Sequence, residues 1–238
     1  MSSSASRHVA GGQPPAIVLR AINKRFGAVH ANRNIDLTVM RGSITGIIGE
    51  NGAGKSTLVS ILYGFYSADS GEIAIDGRPV RFANPRDAIA CGIGMVHQHF
   101  MLVPTMTVLE NIMLGREGGA LLTQGERAIR ERLTQLSRDY GLAVDTDALV
   151  GDLPVGAQQR VEILKALIGG ARILILDEPT GVLTPQEADN LFAILRTLRD
   201  DGVTILLITH KLREILAVTD SVAAVSYTHL RAHETEQH

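Results

Sequence analysis

One stretch limits the possible folds of this 238-residue chain more than any other: Ile44 to Thr57, reading ITGIIGENGAGKST. The apolar run Ile44–Ile48 reads as a buried strand, and a glycine-rich turn follows at once. Lys55 then opens a segment with Leu58, Ile61 and Leu62 on one face at helical spacing. Residues Gly49 to Ser56 fill the pattern G-x-x-x-x-G-K-[ST] in the strand–loop–helix context it requires. The chemistry accounts for the residue types. Gly52 and Gly54 let the backbone turn its N–H groups inward around a phosphate chain, where a Cβ would obstruct. The helix start adds the positive end of its dipole. Lys55 is placed to reach the β- and γ-phosphates, and the Ser56 hydroxyl to sit on Mg²⁺.

Around this unit the chain alternates strand and helix. Ile17–Ile22 reads as a first strand, followed by a loop over residues 23–27 that carries one exposed aromatic, Phe26. Ile35, Leu37 and Val39 alternate with polar residues as in a half-buried strand. Glu72–Asp76 with Gly77 reads as strand and turn, Arg86–Cys91 as a short helix and Gly92–His97 as a strand. From about residue 100 to 165 no strand signal appears; Arg127–Tyr140 is helical in pattern and stops at Gly141. The alternation then resumes with strand Ile173–Leu176, helix Gln186–Asp200 and strand Val203–Ile208. Buried strands between helices imply an α/β fold with a parallel sheet covered on both faces.

Composition supports a folded chain, with 45% hydrophobic and 20% charged residues. A net charge of −2 gives no nucleic-acid footprint. The single cysteine, Cys91, excludes a disulfide framework and a cysteine zinc site, and reads as a small apolar residue. No apolar run is long enough to span a bilayer. Residues 1–15, with several serines, glycines and prolines, lack the apolar core of a signal peptide and read as a mobile tail.

A second set of signals lies further on. The strand Ile173–Leu176 ends in Asp177 and Glu178. An acid at the carboxyl end of a strand next to the P-loop strand can hold the Mg²⁺ shell, which suits Asp177; Glu178 then points elsewhere and could polarise an attacking water. Between Gly151 and Arg160 a short loop leads into a helix over Val161–Ile168. That is either a second helix start able to receive an anion or an ordinary one with Pro154 near its first turn.

Taken together, residues 17 to 225 resemble the nucleotide-binding domain of an ATP-binding-cassette (ABC) transporter. The resemblance implies a P-loop NTPase fold over residues 16–225: a mainly parallel core sheet, an N-terminal antiparallel β subdomain, and a helical subdomain inserted at about 100–165. Segment 153–160 resembles the signature loop. In that family two such domains face head to tail, so Pro154, Val155, Gly156 and Gln158 would complete the partner's ATP site. Cis contacts to ATP would come from Phe26, stacked on adenine, from Gly49, Glu50, Asn51, Gly52, Ala53, Gly54, Lys55, Ser56 and Thr57, and from Asp177. Gln98 resembles the Q-loop glutamine and His210 the switch histidine; with Glu178 they form the implied catalytic set. Ser56, Gln98 and Asp177 are the implied Mg²⁺ residues. His97 and His99 read as structural. Two positions depart from the family pattern: Pro154 replaces the signature serine and Thr184 the usual aspartate of the following loop. The Gly156 N–H remains, and the ATP site that this loop completes is expected to be the weaker of the two.

The run Gly94–Pro104, with Val108–Ile112, resembles a bacterial importer subfamily for simple sugars and nucleosides. Gln98-His99-Phe100 looks more like its nucleoside branch. The implied partners are membrane permease subunits, a second nucleotide-binding domain and an extracytoplasmic solute-binding protein, with no nucleic acid. The implied location is peripheral, on the cytoplasmic face of the membrane. The alternative is a soluble ABC-type ATPase not coupled to transport. From residue 226 the chain departs from the family and resembles one reading frame of a transposase adapter used in sequencing libraries. Residues 226–238 are therefore excluded from the fold, and the chain reads as a fragment of a two-domain polypeptide.

Overall fold

The computed structural model of the chain describes residues 14–49, 52, 54–114 and 122–224. Three residues of the P-loop, Glu50, Asn51 and Ala53, lie outside the described residues, as does the tail expected over 226–238; of the tail expected over 1–15, only Pro14 and Pro15 are described.

The chain begins with an antiparallel hairpin, β1 (Ile17–Phe26) and β2 (Val29–Val39), paired from Ile17↔Val39 to Phe26↔Val29. The segment expected to be a loop over 23–27 is thus strand as far as Phe26, and only Gly27 and Ala28 turn, Gly27 at φ 56°. Asn23-Lys24-Arg25 shows no alternation of its own; pairing with β2 sets its conformation, as tertiary context does for strand propensity in general. After β3 (Ile44–Ile48) and α1 (Lys55–Leu62), β4 (Ser70–Ile75) pairs with β1 and β5 (Arg78–Val80) with β4. The first sheet therefore runs β2-β1-β4-β5, all antiparallel.

Next come α2 (Pro85–Ala90) and β6 (Ile93–Val96), then the helical segment α3 (Val108–Met113), α4 (Leu122–Tyr140) and α5 (Val155–Ile168). α5 starts six residues earlier than the sequence pattern suggested, directly after Pro154. Its buried positions Ala157, Val161 and Leu164 bind it to the core, and burial of that face outweighs the polar look of Gln158-Gln159-Arg160. The chain closes with β7 (Ile173–Asp177), α6 (Pro185–Asp200), β8 (Thr204–Ile208), α7 (Leu212–Val218) and β9 (Ser221–Ala224).

The second sheet is wholly parallel, in the order β6-β7-β8-β3-β9. One expectation fails here. The acid-bearing strand β7 is not next to the P-loop strand β3, because β8 lies between and pairs with both. Chain order does not dictate sheet order, and only the long-range ladder decides it. Alternate side chains along each strand pack on opposite faces. Ile173, Ile175, Leu206 and Ile208 join α1 and the first sheet in one core. Leu174, Leu176, Ile205 and Leu207 join α3, α5 and α6 in the other. The sheet is covered on both faces, as the apolar runs implied. Among the described residues no helix is long and apolar enough to cross a membrane.

Candidate nucleotide site

β3, β6, β7 and β8 all end at one edge of the parallel sheet, the edge where open α/β sheets receive ligands. The tip of the β1–β2 hairpin lies across it. Between them is a cleft of about 540 Å³ lined by Phe26, Val29, Ala31, Gly52, Gly54, Lys55, Ser56, Thr57, Gln98, Glu178 and His210. Residues from both sheets thus meet in one cavity.

Phe26 stands at the hairpin tip with 43% of its surface exposed. It rests edge-on against Tyr66, ring centroids 5.2 Å apart, with Lys24 Nζ 5.4 Å from its centroid. At the phosphate loop, Gly54 adopts φ 83° and caps α1 with no side-chain bond. The first-turn amides of α1 and the positive end of its dipole are thereby available to an anion. A Cβ on Gly54 would lie 2.0 Å from the Ala31 carbonyl oxygen, so β2 backs directly onto the loop. Buried Asn32 ties the two together, its Nδ2 donating to the Gly54 carbonyl at 3.0 Å. The Lys55 side chain is buried, with Nζ donating to the Gly49 carbonyl at 2.7 Å.

Asp177 lies behind the cleft, and its buried Oδ1 has no hydrogen-bond partner. Burial pushes its carboxyl above the usual aspartate range, neighbouring Glu178 adds to the rise, and Lys55 opposes it. A buried carboxylate oxygen of this kind is costly unless a cation or donor meets it. Glu178 turns sharply away at φ 49°, a left-handed conformation rare outside glycine, and its N–H donates to the Ile208 carbonyl at 2.8 Å. That turn brings its carboxylate to His210, whose Nδ1 lies 3.0 and 2.9 Å from the two oxygens. A carboxylate beside Nδ1 selects the ring form that carries a proton there.

Gln98 is exposed and lines the same cleft. His97 does not. Its ring packs against Tyr63 and Phe65, and burial holds its pKa below the usual histidine value.

Pro154, Val155, Gly156 and Gln158 line no part of this cleft. Pro154 caps α5 without a side-chain bond, and Gln158 Nε2 donates to the Leu153 carbonyl at 2.9 Å. Gly156 packs against a carboxylate: a Cβ there would stand 2.7 Å from Glu187 Oε1. The Glu187 carboxylate accepts the Thr184 N–H at 2.9 Å and the Thr184 hydroxyl at 2.8 Å. These donors foremost hold the Glu187 carboxyl below its usual range. The sequence offers the Gly156 amide to a phosphate; in the folded chain a carboxylate stands beside that residue. Thr184, the departure from the aspartate pattern, is the N-cap of α6 in a capping box with Glu187.

Three polar residues near the site escaped sequence reasoning: Asn32, Gln159 and Glu214. Gln159 is buried on α5 and its Nε2 donates to the Pro179 carbonyl at 2.7 Å, tying the signature helix to the loop after Glu178. No local signal marks such residues, because their partners are far away in the chain.

A family model described as "ABC transporter" matches residues 32–181. Over 89% of its length the chain is 48% identical to a glucose import ATP-binding protein of Haloferax volcanii, and it covers 44% of that relative. It is 48% identical over 86% of its length to a nucleoside import ATP-binding protein of Lactococcus lactis, covering 40% of it. A ribose import ATP-binding protein of Burkholderia thailandensis is 50% identical over 88% of the chain, which covers 42% of that protein. The chain thus spans less than half the length of these curated relatives. Among solved structures, the ADP conformation of MJ1267, an ATP-binding cassette of an ABC transporter, matches with TM-score 0.79 and 28% identity over 89% of this chain and 87% of that one. A dimeric bacterial ABC transporter cassette, MJ0796, matches with TM-score 0.73 and 25% identity over 88% and 94%.

Proposed function

The chain belongs to the ABC transporter family of ATP-binding domains, and from that premise we propose that it binds and hydrolyses ATP to energise an importer of nucleosides or simple sugars. The observation that carries this reading is the single cleft in which an open aromatic ring, a glycine-rich loop with Lys55, and the Glu178–His210 pair face one another. Adenine stacks on Phe26, a contact worth about 1–3 kcal/mol. The β- and γ-phosphates lie against the amides of residues 49–57 and the Lys55 ammonium. Water attacks the γ-phosphorus in line. Glu178 takes its proton or orients it, and His210, bonded to that carboxylate, holds the geometry.

The residues also fit a Mg²⁺ ion. The unpartnered, buried Oδ1 of Asp177 and the Ser56 hydroxyl at the cleft wall are hard oxygen ligands, with Gln98 as a third. When bound, the ion neutralises phosphate charge.

Pro154, Val155, Gly156 and Gln158 lie outside their own chain's cleft, which supports their serving the ATP site of a second domain. There the phosphate meets the Glu187 carboxylate beside Gly156 and no hydroxyl at Pro154, so this shared site is the weaker one. The partners in this reading are permease subunits and a solute-binding protein, with the domain peripheral on the cytoplasmic face of the membrane. Relatives named for glucose, nucleoside and ribose import lie at similar identity; Gln98-His99-Phe100 favours the nucleoside branch. The test is Glu178→Gln, which should still bind ATP but hydrolyse it at least about a hundredfold more slowly. Near-normal turnover refutes the assignment.

A further inference from the structure

Glu178 and His210 reach each other from two separate loops. The parallel register ends at Asp177↔Ile208, and past it, among the described residues, only the Glu178 N–H, bonded to the Ile208 carbonyl at 2.8 Å, continues the backbone pairing of the two segments. Glu178 moreover sits at φ 49°, a conformation that persists only where its surroundings over-determine it. A carboxylate from a third element ties the loops together.

Glu214, in the first turn of α7, accepts the Thr180 hydroxyl at 2.5 Å and the Thr209 hydroxyl at 3.4 Å, and pairs with Lys211 Nζ at 3.1 Å. Lys211 Nζ in turn reaches the Thr180 carbonyl at 3.2 Å, while the Lys211 N–H donates to the Thr209 hydroxyl at 3.1 Å. Thr180 follows Glu178 by two residues, and Thr209 and Lys211 flank His210 on both sides. Both threonines are fully buried, so their hydroxyls depend on these protein partners. Glu214 therefore links the loop after the acid to both neighbours of the histidine.

We infer that Glu214 is a positioning residue for hydrolysis: through Thr180, Thr209 and Lys211 it sets the separation of the Glu178 carboxylate and the His210 ring. This rests on the hydrolysis reading above. Among the described residues Glu214 bonds to Thr180, Thr209 and Lys211 and to neither acting group, so its effect should fall on turnover rather than on nucleotide affinity.

The experiment compares steady-state ATP turnover and thermal melting of the unsubstituted protein, Glu214→Ala and Glu214→Gln. Misplacing a reacting group by about 1 Å costs up to roughly 100-fold. Glu214→Ala should therefore lose about 10–100-fold in kcat with KM within about 2-fold. Glu214→Gln keeps an oxygen to accept the Thr180 hydroxyl and should recover to within about 3-fold of the parent. Thr180→Val, which breaks the same tie without touching a charge, should show the same kcat loss and serves if Glu214→Ala does not fold. Added to Glu178→Gln, Glu214→Ala should slow the reaction no further, since residues acting as a unit are non-additive. Unchanged kcat in a folded Glu214→Ala, equal loss in Ala and Gln variants, or additive loss with Glu178→Gln overturns the inference alone. No turnover in the unsubstituted protein overturns the hydrolysis reading and this inference with it.

Discussion

Gly54 is the position where a single methyl group should do most damage to the phosphate loop. At φ 83° an alanine enters left-handed backbone space, costing about 1–2 kcal/mol. Its Cβ would also stand 2.0 Å from the Ala31 carbonyl oxygen and 2.7 Å from Asn32 Nδ2. The first of these is backbone of a paired strand and cannot rotate away. The second can move only by giving up its bond to the Gly54 carbonyl. Relieving such overpacking costs about 1–3 kcal/mol more. The total is roughly 2–5 kcal/mol, a large part of the 5–15 kcal/mol that holds an ordinary domain together. For a domain of this size that is a fall in Tm of about 4–20 °C. Gly52 provides the control: it shares the left-handed backbone, at φ 84°, but a Cβ there meets nothing within 4 Å. Gly52→Ala should carry only the backbone cost and lose about 2–8 °C. Melting followed by circular dichroism without nucleotide measures both, and titration with a fluorescent ATP analogue shows whether Gly54→Ala also loses the phosphate cradle. If the two variants melt within about 2 °C of each other, the close approach of β2 to the loop is not what stabilises it.

Two further outcomes follow from the site. Phe26→Ala should weaken nucleotide binding by about 1–3 kcal/mol, roughly 5- to 150-fold, while Phe26→Tyr keeps most of the affinity; equal binding by Phe26→Ala in equilibrium dialysis removes the ring from the site. Asp177 has a folded-state pKa above its unfolded value, so its contribution to stability is present at low pH and lost as pH rises through the folded value. Asp177→Asn escapes that loss and should melt higher than the parent at pH 7 without nucleotide, by about 2–4 °C per kcal/mol gained, with the difference closing toward pH 4. It should also lose the extra stability that ATP and Mg²⁺ confer together; a lower Tm at pH 7 refutes the burial account.

Much of the fold was legible locally. The P-loop strand, the helix after it, the acid-tipped strand β7, and α6 with its neighbour β8 announce themselves through spacing, because each depends on residues close in the chain. The end of β1 was not legible: Asn23-Lys24-Arg25 becomes strand only because β2 pairs with it. The start of α5 was missed for a similar reason, its apolar face being defined by what it packs against.

What the sequence by itself determined is a glycine-rich loop between a buried strand and a helix, since glycine, lysine and serine at that spacing act through the backbone they belong to. Only tertiary structure decided that β8 separates β3 from β7, that Phe26 reaches the cleft from another sheet, and that Glu178 turns left-handed to meet His210. It also placed Asn32, Gln159 and Glu214 as buried or part-buried ties. The physical reason is distance along the chain. A ladder register such as Ile44↔Ile205, or a hydrogen bond such as Ile44 N–H to Asp220, is settled by contacts that no local window of residues contains.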